Sequence, residues 1–212
     1  YLSEGKRQIS SITPMHIIDT RDDVFDPNRG IYNNLSLQIG GGYLGGDFNY
    51  LKAQWDFRYF VPSFWRFVFA FHSKIGNSWG YDFSYGSAQV PATEKFYCGG
   101  TDTVRGYEER SLGPRIGGDF MVLTNIEYKL KVIDRVLTLA AFYDSGNSWS
   151  SINDVDFMNP YLYSSVGGGI RITVPGTVMM IRIDWGYPLD PSIRDRDMLN
   201  GGKIHFNIGN IF

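Results

Sequence analysis

Residues Tyr50–Phe60 read YLKAQWDFRYF, and along them two kinds of side chain alternate. Leu51, Ala53, Trp55, Phe57 and Tyr59 fall on one side; Lys52, Gln54, Asp56 and Arg58 fall on the other. A period of two marks an extended strand with one apolar and one polar face, whereas a helix would repeat its apolar positions at three and four. The same pattern flanks this stretch. In Ile31–Ile39, Leu35, Leu37 and Ile39 oppose Asn34, Ser36 and Gln38; in Trp65–Ile75, Trp65, Phe67, Phe69 and Phe71 oppose Arg66, His72 and Lys74. Further upstream, Arg7–Asp19 alternates in a blurred way.

Downstream the pattern resumes after a long break. Val122, Thr124, Ile126, Tyr128 and Leu130 oppose Asn125, Glu127 and Lys129, and Leu137, Leu139, Ala141 and Tyr143 oppose Thr138, Phe142 and Asp144. Val166, Ile170, Ile172 and Val174 oppose Arg171 and Thr173, while Met179, Ile181, Ile183 and Trp185 oppose Arg182 and Asp184. Ile204, Phe206, Ile208 and Phe212 oppose Lys203, His205 and Asn207. The pattern predicts nine strands and an all-β chain.

The connections separate a membrane barrel from a soluble sandwich. Pro62–Phe64, Val132–Asp134 and Pro175–Thr177 are tight turns, whereas Gly40–Asn49, Gly76–Phe120, Ser145–Leu162 and Tyr187–Gly202 are long. Short turns on one rim and long loops on the other, with apolar and polar faces alternating, describe a transmembrane antiparallel β-barrel. Trp55, Tyr59, Trp65, Tyr128, Tyr143 and Trp185 are then expected at strand ends, as interfacial girdles. Nine is an odd count, and bacterial single-chain barrels have even ones. Either a strand is missed or split, or the chain is part of a larger barrel.

Composition narrows the function. A formal charge of −2 over 212 residues gives no electrostatic case for nucleic acid. No apolar run reaches about eighteen residues, which excludes a transmembrane helix. The single cysteine, Cys98, excludes an internal disulfide and a multi-cysteine metal site. The chain starts at Tyr1 with a polar stretch that does not read as a signal peptide, so a mature or truncated N-terminus is expected.

The break between the two groups of strands contains FYCGGTDTVRGYEERSLGPRIGGD, residues Phe96–Asp119. So long a connection is uncommon unless it is functional or disordered. Its glycines Gly99, Gly100, Gly106 and Gly113 allow close backbone approach, so a folded loop packed on another surface is expected.

Within it, Val104-Arg105-Gly106-Tyr107 and Ser111-Leu112-Gly113-Pro114-Arg115 resemble the signature loop of the BamA-type outer-membrane assembly proteins. Other segments match in family order: Asp19–Asp23 with Phe25-Asp26-Pro27, Phe142–Gly146, Gly169–Arg171 with Val174-Pro175, Asp184–Leu189, and Phe206–Gly209 with Phe212. The resemblance implies that residues 1–212 are the C-terminal portion of a sixteen-stranded barrel in the outer membrane of a Gram-negative bacterium. The POTRA domains of the family are absent from this chain, and a loop at about residues 76–120 is expected to enter the lumen.

The function so implied is insertion and folding of other outer-membrane proteins, with no enzymatic activity, no catalytic residues, no metal and no cofactor. In the family the arginine of the signature motif lies inside the barrel. Here it is Arg105, and the resemblance points to Asp144 and Glu127 as its acidic partners. The alternation independently puts both carboxylates on the lumen face. The last strand, with Phe206, Gly209 and Phe212, would form a weak lateral seam at which nascent strands are templated. Expected partners are nascent outer-membrane proteins, outer-membrane lipids and, through the missing POTRA domains, accessory lipoproteins. Alone, the fragment would either associate edge to edge as a dimer or close in a non-native way. The alternative is a transport pore of the same superfamily, either a two-partner secretion transporter or a patatin-fused barrel.

The remaining candidates have structural explanations. Asp19, Asp22, Asp23 and Asp26 lack the spacing of an EF-hand and are expected to cap a turn. His16, His72 and His205 lack ligand spacing, and the latter two are expected to make lumen hydrogen bonds. Cys98 is expected to be an inert thiol.

Overall fold

A computed structural model describes residues 7–174, 179–190 and 201–208. Strands β1 (Ser11–Ile12), β2 (Met15–Asp19), β3 (Gly30–Gly40), β4 (Tyr50–Pro62) and β5 (Phe67–Gly80) precede the long loop. After it come β6 (Phe120–Ile133), β7 (Leu137–Trp149), β8 (Tyr163–Thr173), β9 (Met180–Pro188) and β10 (Lys203–Ile208). All pair antiparallel in one sheet, each with its neighbour in sequence, except that β1 and β2 both pair with β3. Among the described residues the sheet has two edges, β1/β2 and β10, and is not closed.

The ten segments reduce to the nine strands expected, because β1 and β2 are one strand. Ile12 lies opposite Ile39 and Met15 opposite Ser36, so the register is unbroken across Thr13-Pro14. Pro14 has no amide to donate, but its carbonyl still accepts from Leu37 N at 3.1 Å. Proline is tolerated in a sheet at such a position.

The faces are inverted relative to a soluble protein. Leu35, Leu139, Ile170, Ile183, Trp185 and Phe206 are exposed, while Asp56, Asn125, Glu127, Lys129, Asp144 and Arg182 are buried. So wide an exposed apolar surface belongs against lipid, and strands of 11–14 residues (β3–β8) are long enough to cross a bilayer obliquely. The long connections 41–49, 81–119 and 150–162 share one rim.

Three expectations need correction. The long loop does not start at Gly76: β5 runs on to Gly80, where Ser78 N donates to Asp119 O at 2.7 Å, so the loop is residues 81–119. Trp65 is not in a strand; it sits in the 63–66 turn with φ 54°. Trp55, Tyr143 and Trp185 lie near mid-strand, so the girdle reading fits only Tyr59, Trp65 and Tyr128, toward the tight-turn rim. The Pro175–Thr177 turn lies outside the described residues.

Candidate functional site: a loop packed on the polar face

The 81–119 loop folds back over the polar face of the sheet. Near its base Phe96 and Gly118 exchange backbone hydrogen bonds at 2.8 Å each, and further in Leu112 N donates to Cys98 O at 3.0 Å. Cys98, Val104, Tyr107, Leu112 and Leu123 form a small apolar cluster, against which Tyr163 packs. Tyr107 also donates from its hydroxyl to Ser164 O at 2.9 Å. Burial pushes the Cys98 thiol up to about 12, so it stays protonated at neutral pH.

At the tip Arg105 is 1% exposed. Its Nε and Nη2 grip Asp144 in a two-pronged pair at 2.7 Å each, and its backbone N–H adds a third bond to Asp144 at 3.1 Å. Its Nη1 reaches Glu127 Oε1 at 2.6 Å and Asp184 Oδ2 at 3.1 Å. The guanidinium lies 3.5 Å from the centre of the Phe142 ring. The planar fork suits this task, since one arginine can serve several acceptors while stacking on a ring.

Two further arginines complete the cluster. Arg171 Nη2 donates to Glu127 Oε1 at 2.6 Å, and Arg182 Nε lies 2.9 Å from Asp184 Oδ2. Arg182 also donates to Thr101 O in the loop at 2.6 Å. Asn125 bridges the loop and the wall, donating to Thr103 O at 2.7 Å and to Asp144 Oδ1 at 2.9 Å. Three arginines therefore face three fully buried carboxylates, Glu127, Asp144 and Asp184. Charges so enclosed persist only when paired and hydrogen-bonded.

Backbone contact fixes the tip. Gly106 has φ 90°, and a Cβ there would stand 2.9 Å from the Gly186 carbonyl carbon of β9. A Cβ on Gly186 would in turn meet Gly106 N at 2.5 Å and Arg105 C at 2.8 Å. The two glycines let the loop and β9 approach as bare backbones.

The structure thus brings Val104, Arg105, Gly106 and Tyr107 together with Glu127 and Asp144 in one buried site. Phe206 is exposed on the apolar side of β10, away from that site. Gly209 and Phe212 lie outside the described residues. Sequence reasoning missed Asp184, Arg171 and Arg182 as members of the cluster, although the alternation had set all three on the polar face.

Comparison with known proteins identifies the architecture. The model of the Omp85 superfamily domain matches residues 2–212. The chain belongs to the Omp85 superfamily. Over 99% of its length it is 32% identical to the outer membrane protein assembly factor BamA of Nitratidesulfovibrio vulgaris, covering 26% of that protein. It is 29% identical over 53% of its length to the mouse sorting and assembly machinery component 50 homolog, covering 23% of it. The chain thus spans about a quarter of the length of these relatives. In fold it resembles the crystal structure of Haemophilus ducreyi BamA lacking POTRA domains 1–3, with a TM-score of 0.70 over 93% of this chain and 41% of that one, at 17% identity. As a portion of an Omp85 barrel of BamA type, the sheet belongs in the outer membrane.

Proposed function

We propose that this chain is the C-terminal barrel portion of an outer-membrane protein assembly factor, and that it inserts nascent β-barrel proteins by offering a strand edge. The observation that carries the reading is the contrast at the β10 edge. Among the described residues β10 pairs only with β9, whereas β4–β7 are paired on both sides. A strand with a free edge presents unpaired N–H and C=O groups to an incoming strand, which is the chemistry of β-augmentation. In lipid such an edge is costly to leave open, so an incoming strand gains the full hydrogen-bond ladder.

The plug supports the same reading. Arg105 and its three carboxylates hold the loop across the lumen, which leaves the sheet edge as the route for a client. Substrates would be nascent outer-membrane proteins, and lipoprotein partners would dock on domains outside this chain. No step calls for a bond to be made or broken, a metal or a cofactor.

Depletion of the full-length protein from its own cell tests this. The expected outcome is a broad loss of folded β-barrel proteins from the outer membrane. Loss of one exported soluble protein, with barrels unaffected, would instead establish a transport pore. A cystine engineered to staple β10 to the strand it meets in the closed barrel should block insertion reversibly; unimpaired insertion would rule out a moving seam.

A further inference from the structure

The Arg105 cluster does not use His205, the buried histidine of β10. Its Nε2 accepts a hydrogen bond from the backbone N–H of Gly106 at 2.9 Å. Its Nδ1 lies 3.2 Å from Thr101 Oγ1. An amide nitrogen can only donate, so Nε2 must carry a lone pair. This assigns the tautomer: the imidazole is neutral, with its proton on Nδ1 directed at the threonine oxygen. One ring therefore ties the tip of the plugging loop, at two points, to the strand that borders the sheet.

We propose that His205 is a positioning residue, coupling the position of the signature loop to the position of β10. In its neutral form it holds the two together. Protonation at Nε2 replaces the acceptor by a second donor and leaves the buried Gly106 amide without a partner, which releases the tie. The charged groups facing the ring are Arg105 and Glu109 of the loop, Asp184 of β9 and Lys203 on its own strand. Lys203 is a donor only and cannot accept from the Gly106 amide, and Asp184 holds Arg105 and Arg182 through Oδ2. The significance for assembly rests on the reading of β10 as the seam strand; the tie itself does not.

The test uses the full-length protein in lipid nanodiscs, without client. Hydrogen exchange across the loop tip is followed from pH 8 to pH 5 and corrected for the intrinsic pH dependence of exchange. Three forms are compared: wild type, His205→Gln, whose amide oxygen can accept at nearly the same reach but does not titrate, and His205→Leu. The wild-type tip is expected to lose about tenfold protection on acidification, the Gln form to stay protected throughout, and the Leu form to exchange about tenfold faster at every pH. Equal protection in wild type and the Leu form at pH 8, or the same acid response in the Gln form, would overturn the proposal. Insertion of a denatured β-barrel client is then measured on the same samples. Faster tip exchange without any change in insertion would leave the tie standing and remove the assembly reading of β10.

Discussion

The two faces of β7 belong to one run of residues yet obey different rules. Leu139, Ala141 and Tyr143 lie on the apolar face and are exposed; Thr138, Phe142 and Asp144 lie on the opposite face, under the loop, and are buried. The outer face requires a character, apolar and of no fixed shape, because lipid adapts to it. The inner face requires identities: Asp144 has one arginine at fixed distances on both its oxygens, and Phe142 carries that arginine on its ring. Substitution should therefore be costly in different ways on the two sides.

The largest effect is expected inside. Arg105→Glu removes the cation from Asp144, Glu127 and Asp184 and adds a fourth carboxylate to the same buried space. Breaking one partner out of a buried ion cluster costs about 3–5 kcal/mol, so the loop should leave the lumen. Cys98 reports this directly: alkylation at pH 8 should be absent in the wild type and rapid in the variant. The exchanged pair Arg105→Asp with Asp144→Arg should recover only part of the loss, since the moved carboxylate would still face Glu127 and Asp184. Full recovery would mean that those two residues contribute nothing to holding the loop.

On the outer face the direction of change decides the cost. Ile170→Ala, on the lipid side of β8, should shift the urea midpoint of the full-length protein only slightly. Ile170→Lys places a charge in hydrocarbon, at about 2–4 kcal/mol if it lies near the midplane and less toward either interface. Equal tolerance of both changes would mean that this face does not meet lipid.

Gly186→Ala is expected to fall below these. Its methyl would meet Gly106 N and the Arg105 carbonyl carbon, both backbone, and overpacking of this kind costs about 1–3 kcal/mol. It alters no charge and changes nothing on the lipid side, so loss of loop protection with an intact sheet would show that backbone contact, and not only ion pairing, seats the plug.

What the sequence disclosed follows the same division. The strands were legible because period-two alternation over ten residues needs no knowledge of neighbours; Asp144 and Glu127 were legible as polar-face groups for the same reason. The upper end of β5 was not, because Asn77, Ser78 and Gly80 are small or polar, and they are held in the sheet by pairing with β4 and by Asp119 from the far side of the loop. Trp65 misled because its ring fits an apolar strand position while its backbone takes a turn conformation. Asp184, Arg171 and Arg182 carried the correct face but no partner, since their partners are set by where a distant loop descends. The glycine of Asp-Trp-Gly-Tyr matched a family motif without a physical reason until Gly106 was found against it.

The smallest effect should come from the acidic loop joining β2 to β3, which lies on the tight-turn rim and reaches the polar face through Asp26, paired with Lys131 of β6. Asp22 Oδ1 accepts from the amides of Asn28 at 2.9 Å and Arg29 at 3.1 Å, and Asp23 Oδ1 from Phe25 at 2.7 Å and Asp26 at 3.1 Å. The carboxylates therefore fold the loop by serving its own backbone. Desolvation alone would raise the carboxyl of the exposed Asp22 slightly, but the Asn28 and Arg29 amides outweigh it and hold the group below its ordinary value. A group depressed in the folded state stabilises above its unfolded value near pH 4, and the contribution disappears as pH falls through the lower folded value. Asp22→Ala should then cost about 0.5–1 kcal/mol at pH 7 and nothing once the wild-type carboxyl is protonated, read as converging urea midpoints. Calcium should leave the wild-type midpoint unchanged; a rise on adding it would show that these carboxylates hold a cation rather than a turn.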